Sequence, residues 1–393
     1  MRPGHSPQGQ DGPIAATLRA ASASPRAFMR SSPPVQTSTN HAPRPKNHST
    51  IRRLWPWLLW LLAFYAAWLG LVMAGQHWHT LRENRGIAAA MGLGSYVAGS
   101  TPMGGGTVGF PILVLLFEQP AQLGRDFSFA VQSIGMVSAS IYILCRRQPL
   151  EWPLLGPAML GALVGTPLGI LYLAPLVPAL WIKVSFAVVW ASFGVLHLYR
   201  TREFCDQHGT CVPRPRLDHW LGLTIGLTAS ASVTAITGVG IDMVLYAALV
   251  LLRRADLKIA IPTSVLIMAF ASVVGIFFKI VVTGVQPGVY ENWLAAAPVV
   301  ALGAPLGAFI VHRIGRKPTL YVVAVLCLLQ FAWTMRNEWP ALGITGITLA
   351  LLGVLLFNLG FEALHRWGDR LSGRNVRPPA SSQDDRSSNA TSA

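Results

Sequence analysis

Residues 99–117 read GSTPMGGGTVGFPILVLLF, inside a long apolar run where a helix would otherwise pass uninterrupted. Pro102, Gly104, Gly105, Gly106, Gly109 and Pro111 all oppose a continuous helix, the prolines by removing a donor and the glycines by their backbone freedom. The helix is therefore expected to break here. Backbone opened inside a bilayer leaves N–H and C=O groups without partners, at several kcal/mol each, so such a break persists only where protein buries it or it lines a cavity.

The pattern returns later in the chain. A shift of about 131 residues sets Thr107-Val108-Gly109-Phe110 over Gly238-Val239-Gly240-Ile241, and Gln132-Ser133 over Thr263-Ser264. A slightly larger shift sets Gly165-Thr166-Pro167-Leu168-Gly169 over Gly303-Ala304-Pro305-Leu306-Gly307. Three matches in one order argue for two homologous halves.

Composition fixes the class. With 52% hydrophobic and 12% charged residues and a mean hydropathy of +0.46 over 393 residues, the chain is a polytopic membrane protein rather than a set of soluble domains. The formal charge of +15 comes largely from the tails and short loops, where Lys and Arg report topology; nucleic acid is not an expected partner. Four scattered cysteines make no disulfide framework. Cys205, His208 and Cys211 share a loop but supply three metal ligands where a structural zinc site needs four, so no metal and no cofactor is expected.

In order, residues 1–53 form a basic arm rich in Pro, Ser and Arg, expected to be disordered. An organelle transit peptide is the alternative reading of that composition. A first transmembrane helix is expected over 54–75, a first repeat over 87–200, a polar loop over 201–218, a second repeat over 219–336, a last helix over 341–360 and a disordered tail over 361–393. Each repeat opens with a Gly-broken element, 87–117 or 220–252, followed by three apolar segments.

The basic loops decide whether each broken element crosses the membrane or folds back. If each crosses once, Arg253 to Lys258 and His312 to Lys317 lie on the side opposite Arg200 to Arg216, against the positive-inside preference. If each is a hairpin, all of these loops, Arg146-Arg147 and both termini fall on the cytoplasmic side. The hairpin reading makes each half a hairpin plus three crossings, so the second half lies inverted relative to the first. The expected fold is all-α, two inverted-topology repeats with an extra helix at each end, in a cell inner membrane. This is the build of many secondary transporters, whose site lies where two breaks meet near the midplane.

At such a break the returning limb starts as a fresh helix, with free N–H groups and the positive dipole end, and an anion is the natural guest. The first break offers Gly105, Gly106 and Thr107, the second Thr237, Gly238 and Gly240. Gln132-Ser133 and their counterparts Thr263-Ser264 could line a polar path, or else hold helices together. Asp242 is the one acid placed well inside the apolar zone; it follows the second break where the first has Pro111, and is either a coupling group or a helix cap. Lys183 and Lys279, near helix ends, are expected to snorkel. No metalloprotease, hydrolase-elbow or phosphate-loop motif is present.

Residues 87–334 resemble the sulfite exporter TauE/SafE family, also called the 4-toluene sulfonate uptake permease family. The likeness rests on Gly104-Gly105-Gly106 with Pro111, on Thr237-Gly238-Val239-Gly240, and on the Ser/Thr-bearing helix after each. It implies transport of small anions, chiefly sulfite, sulfonates and related sulfur compounds. A non-transporting scaffold or sensor of the same fold, and an intramembrane enzyme, are the alternatives. The expected partners are the small anion and the bilayer, with a homo-oligomer compatible.

Overall fold

The computed structural model describes residues 48–206, 214–314 and 316–372, and every element among them is helical. The arm expected over 1–53 lies outside the described residues except for its last few, which belong to the first helix. His208, Cys211 and the tail beyond Ser372 also lie outside them.

Nine helices among the described residues are long and apolar enough to cross a membrane. The chain runs α1 (His48–Ala74), α2 (Trp78–Glu83), α3 (Arg85–Ser100), α4 (Gly106–Leu116), α5 (Ala121–Cys145), α6 (Trp152–Leu176) and α7 (Ala179–Asp206). It continues through α8 (Pro215–Thr237), α9 (Ile241–Leu252), α10 (Leu257–Thr283), α11 (Val289–Ile314), α12 (Arg316–Asn337) and α13 (Trp339–Ser372). The two short apolar helices, α4 and α9, each follow a break and fold back against the helix before it, α3 and α8 respectively. Both broken elements fold back because the first limb stops, before Pro102 in one and at Gly238 to Gly240 in the other, and an apolar helix restarts after a short gap.

The first limbs are packed reciprocally. Limb α8 lies along α6: a Cβ at Gly161, Gly165 or Gly169 would fall 2.1–2.4 Å from a carbonyl oxygen of Leu223, Leu227 or Ala231. Limb α3 lies along α11 in the same way: a Cβ at Gly99 would fall 1.7 Å from Ala304 O, and one at Gly307 would fall 2.4 Å from Tyr96 O. Such spacing lets helix backbones touch, the usual means of helix association where no hydrophobic force acts between helices. The glycine pairs of α6 and α11 are those of the matched Gly-x-Pro-Leu-Gly segments, so α6 grips α8 and α11 grips α3 with the same residue pattern.

The turn after each hairpin also recurs. Gln119 N donates to Leu113 O at 2.9 Å and Ala255 N to Leu249 O at 3.0 Å, and Glu118 and Arg254 take left-handed φ of 53° and 55°. The next helices start at Ala121 and Leu257. Structural register between the hairpin ends is thus 136 residues, Phe117 to Arg253, not the shift near 131 that the break motifs suggest. The slip arises because the matched motifs sit at different places in the two elements: Thr107 to Phe110 lie inside α4, whereas Gly238 to Gly240 form the gap between α8 and α9. Asp242 consequently stands opposite Gly106-Thr107 rather than Pro111, and Thr263 is not the structural counterpart of Gln132.

Helix α1 is fastened by three amphipathic side chains. Trp57 Nε1 donates to Ser138 Oγ, Tyr65 Oη to Pro298 O and Trp68 Nε1 to Leu294 O. Helix α13 continues past residue 361, where a tail was expected, because ion pairs from Arg200 to Glu362 and from Arg254 to Asp369 dock its end.

Among the described residues Asp126 and Asp218 are as fully buried as Asp242, each near the start of its helix. Asp126 pairs with Arg125 and with Lys279, each at 3.0 Å, and Asp218 pairs with Arg253 at 2.9 Å. Lys279 is 4% exposed and Lys183 bonds Glu338 at 2.6 Å, so neither simply snorkels; each has an acid within reach of its ammonium group.

Candidate functional site

The first break begins where Thr101 leaves helical geometry after Ser100 and ends where Thr107 N donates to Gly104 O at 3.0 Å. In the second break, Gly238 and Gly240 take φ of 83° and 120°, conformations that glycine alone adopts without strain. Thr234 Oγ1 accepts from Ile241 N at 3.0 Å, and Thr237 Oγ1 lies 2.8 Å from the carbonyl oxygens of Val233 and Val239. Both hydroxyls are spent on holding the turn.

The two breaks meet at a carboxylate. Asp242, fully buried, receives Gly104 N on Oδ2 at 2.7 Å, and Gly240 N and Met243 N on Oδ1 at 3.1 and 3.0 Å. Gln132 on α5 closes the junction from the side, its Nε2 donating to Ser128 O and to Gly238 O at 3.0 Å each. Its Oε1 has no hydrogen-bond partner and packs on Gly104, where a Cβ would fall 1.7 Å from it. Gly106 is equally confined, since a Cβ there would lie 2.5 Å from Val239 Cγ1 and 2.9 Å from Ser128 Oγ. The arrangement is a nest of backbone donors at two helix starts holding one anionic group, supplied here by the chain itself.

A small cavity of about 10 Å³, lined by Ser95, Gly105 and Gln132 among others, adjoins the junction. A far larger vestibule of about 590 Å³ opens at one end of the bundle. Its floor includes Gly99 and Ser100, the last residues before the first break, and its walls carry Arg146, Arg147, Lys258 and Lys317 against one acid, Asp256. Four cations around one concave surface concentrate anions. These residues were legible in the sequence only as topological signals, because nothing in their spacing showed that three separate loops share a rim.

Of the residues singled out in the sequence, Gly105, Gly106, Gln132, Gly238, Gly240 and Asp242 come together at the junction. Thr107 lines a separate, lateral cavity, and Thr237 is internal to the second turn. Ser133 bonds Ala130 O and Ser264 bonds Ile261 O, both within their own helices. Thr263 Oγ1 accepts from Glu151 N at 3.1 Å, at the start of α6 and away from the breaks. Among the described residues no group of three or more potential metal ligands occurs.

In comparison with known proteins, the model of the sulfite exporter TauE/SafE family matches residues 86–335, well over half the chain and the whole span from the first hairpin to α12. No curated protein and no solved structure matches the chain.

Proposed function

The chain belongs to the sulfite exporter TauE/SafE family, and from that premise we propose that it is a secondary transporter of a small sulfur-containing anion, of the sulfite or sulfonate class, bound where the two breaks meet. The observation that carries the reading is the Asp242 carboxylate on N–H groups of both breaks, because donors that hold one oxyanion suit another. Gly105, Gly106, Gln132, Gly238 and Gly240 frame that position. Asp242 is the coupling candidate, since its single charge ties both breaks together.

The reciprocal packing of α3 on α11 and α8 on α6 supports two repeats, and three crossings between the hairpins make them inverted. The positive-inside preference supports a cytoplasmic place for the basic vestibule and for both termini, in an inner membrane. The vestibule then draws anions from the cytoplasm towards the first break, which favours export.

Sulfite flux in proteoliposomes, with and without an imposed pH gradient, tests the reading. Saturable flux is expected. Protein that binds sulfite without moving it would instead favour a sensor of the same fold, a reading to which the occupied junction lends some weight.

A further inference from the structure

The last turns of α13 carry Glu362, His365, Arg366 and Asp369, spaced three and four residues apart and hence on one face of the helix. Glu362 and Asp369 take one arginine each, Arg200 of α7 and Arg254 of the turn after α9. Glu203 of α7 pairs with both, 2.8 Å from Arg200 Nη1 and 2.5 Å from Arg254 Nη1, and Arg366 Nε lies 2.9 Å from Glu362. His365 stands between the two guanidinium groups, its Nε2 2.6 Å from Arg200 Nη1 and 3.2 Å from Arg254 Nη2. Its side chain and those of both arginines are only 13% exposed, so water screens these charges weakly.

These contacts fix where the imidazole proton sits. A guanidinium group has five N–H donors and no acceptor, so Nε2 can only accept from the arginines, and the neutral ring carries its proton on Nδ1. With the ring neutral, Arg200, Arg254 and Arg366 are matched one for one by Glu203, Glu362 and Asp369 among the described residues. A proton added at Nε2 would point at two donors and add an unmatched positive charge. The carboxylates nearest the ring, Asp369 Oδ2 at 3.5 Å from Nε2 and Glu203 Oε1 at 3.7 Å from Nδ1, are both already held by Arg254.

The same helix end is seated on the second hairpin. A Cβ at Gly368 would fall 2.3 Å from Leu251 O, so the backbones of α13 and α9 touch. Arg254 takes its left-handed φ in the turn that closes this hairpin, and Asp256, two residues on, lines the basic vestibule, as does Cys205 of α7. We infer that the end of α13 is a pH-sensitive clasp on the base of the second hairpin, closed while His365 is neutral and released when it takes up a proton. Acid is the releasing direction. Opening frees Nε2 to bind a proton that the closed cluster excludes, so the closed share falls as pH falls through the ordinary imidazole range, about 6.5. Carboxylates ordinarily titrate at about 4, below that range.

Hydrogen exchange of the full chain in nanodiscs tests the clasp without reference to transport. After correction for the intrinsic effect of pH on exchange, amides of 361–370 should exchange roughly tenfold faster at about pH 5.5 than at about pH 7.5, with 250–256 following. That factor is the one for a single proton taken up on opening by an imidazole of ordinary pKa, about 6.5. His365→Gln keeps an acceptor for the arginines and never charges, so its exchange should be alike at both pH values. His365→Arg carries the charge permanently and should exchange fast at both. Exchange of the natural chain that ignores pH overturns the inference whether or not the variants fold. So does an undiminished pH response in folded His365→Gln, or a His365→Arg end as protected as the natural one at the higher pH.

Discussion

Gly104 donates its backbone N–H to Asp242 Oδ2 at 2.7 Å, a bond between residues 138 positions apart that ties the first break to the start of the second returning limb. Gly240 and Met243 hold the other carboxylate oxygen. A substrate anion reaching the Gly104 N–H must therefore displace, or sit beside, an anion that is already part of the chain.

This arrangement predicts an opposed effect of Asp242→Asn on stability and on ligand response. An amide has one acceptor oxygen and cannot serve Gly104 on one side and Gly240 and Met243 on the other, so about 1.5–3 kcal/mol of charged hydrogen bonding is lost. The thermal midpoint without ligand should fall. The rise in midpoint on adding sulfite should be larger than in the natural chain, because the competing carboxylate is gone. A sulfite response that disappears in a folded Asp242→Asn protein would show that the carboxylate helps the anion rather than competing with it.

Gly106 supplies a steric test. Even Gly106→Ala places a Cβ 2.5 Å from Val239, at the contact between the breaks, and overpacking of this kind typically costs about 1–3 kcal/mol. Transport is expected to be lost while the protein still inserts. The proper control is Gly156→Ala, where nothing lies within 4 Å and the change should be within about 0.5 kcal/mol of neutral. Gly161 would be a poor control, since a Cβ there meets Leu223 O at 2.4 Å. Equal loss of both flux and folded protein at positions 106 and 156 would remove the argument.

The vestibule predicts a kinetic signature. Arg147→Glu with Lys258→Glu reverses two of the four cations on its rim, and fields of this kind change local anion concentration by about 10-fold or more. The half-saturating sulfite concentration should rise by about that factor at low ionic strength, with maximal flux little altered, and the gap should narrow as salt screens the rim. An effect on maximal flux alone, indifferent to salt, would place these residues outside the entry path.

The hairpins were readable because Gly104-Gly105-Gly106 and Gly238-Val239-Gly240 interrupt runs too apolar to be loops. The partners of those breaks were not, and the reason is register. Aligning the glycines pairs Gln132 with Thr263, yet the helices that carry them start 136 residues apart, which moves Thr263 to the Glu151 end of the bundle. Sequence motifs report where glycine interrupts the chain, whereas the positions at which the flanking helices end and restart set which side chains face the opening. Buried charge was hidden for a similar reason. Arg125 and Asp126 lie near the start of α5 and read as loop residues, and only the fold brings Lys279 of α10 to them.

That cluster predicts an asymmetry between its members. Asp126 faces two cations, with Arg125 Nε and Lys279 Nζ each at 3.0 Å, and also accepts from Gln286 N at 3.2 Å. Asp126→Asn leaves two buried cations without a counter-charge, the situation in which breaking a buried pair costs about 3–5 kcal/mol. Lys279→Met removes one cation but leaves Arg125 and Asp126 balanced one to one, and its aliphatic stem is replaced by another. The Lys279→Met protein should therefore unfold close to the natural midpoint in nanodiscs, while Asp126→Asn should unfold well below it. Combining the two changes should recover part of the loss, because one uncompensated cation is removed with its lysine. If Lys279→Met proves as damaging as Asp126→Asn, the lysine is doing more than neutralising the acid, and the balance of charge described for this cluster is not what holds it.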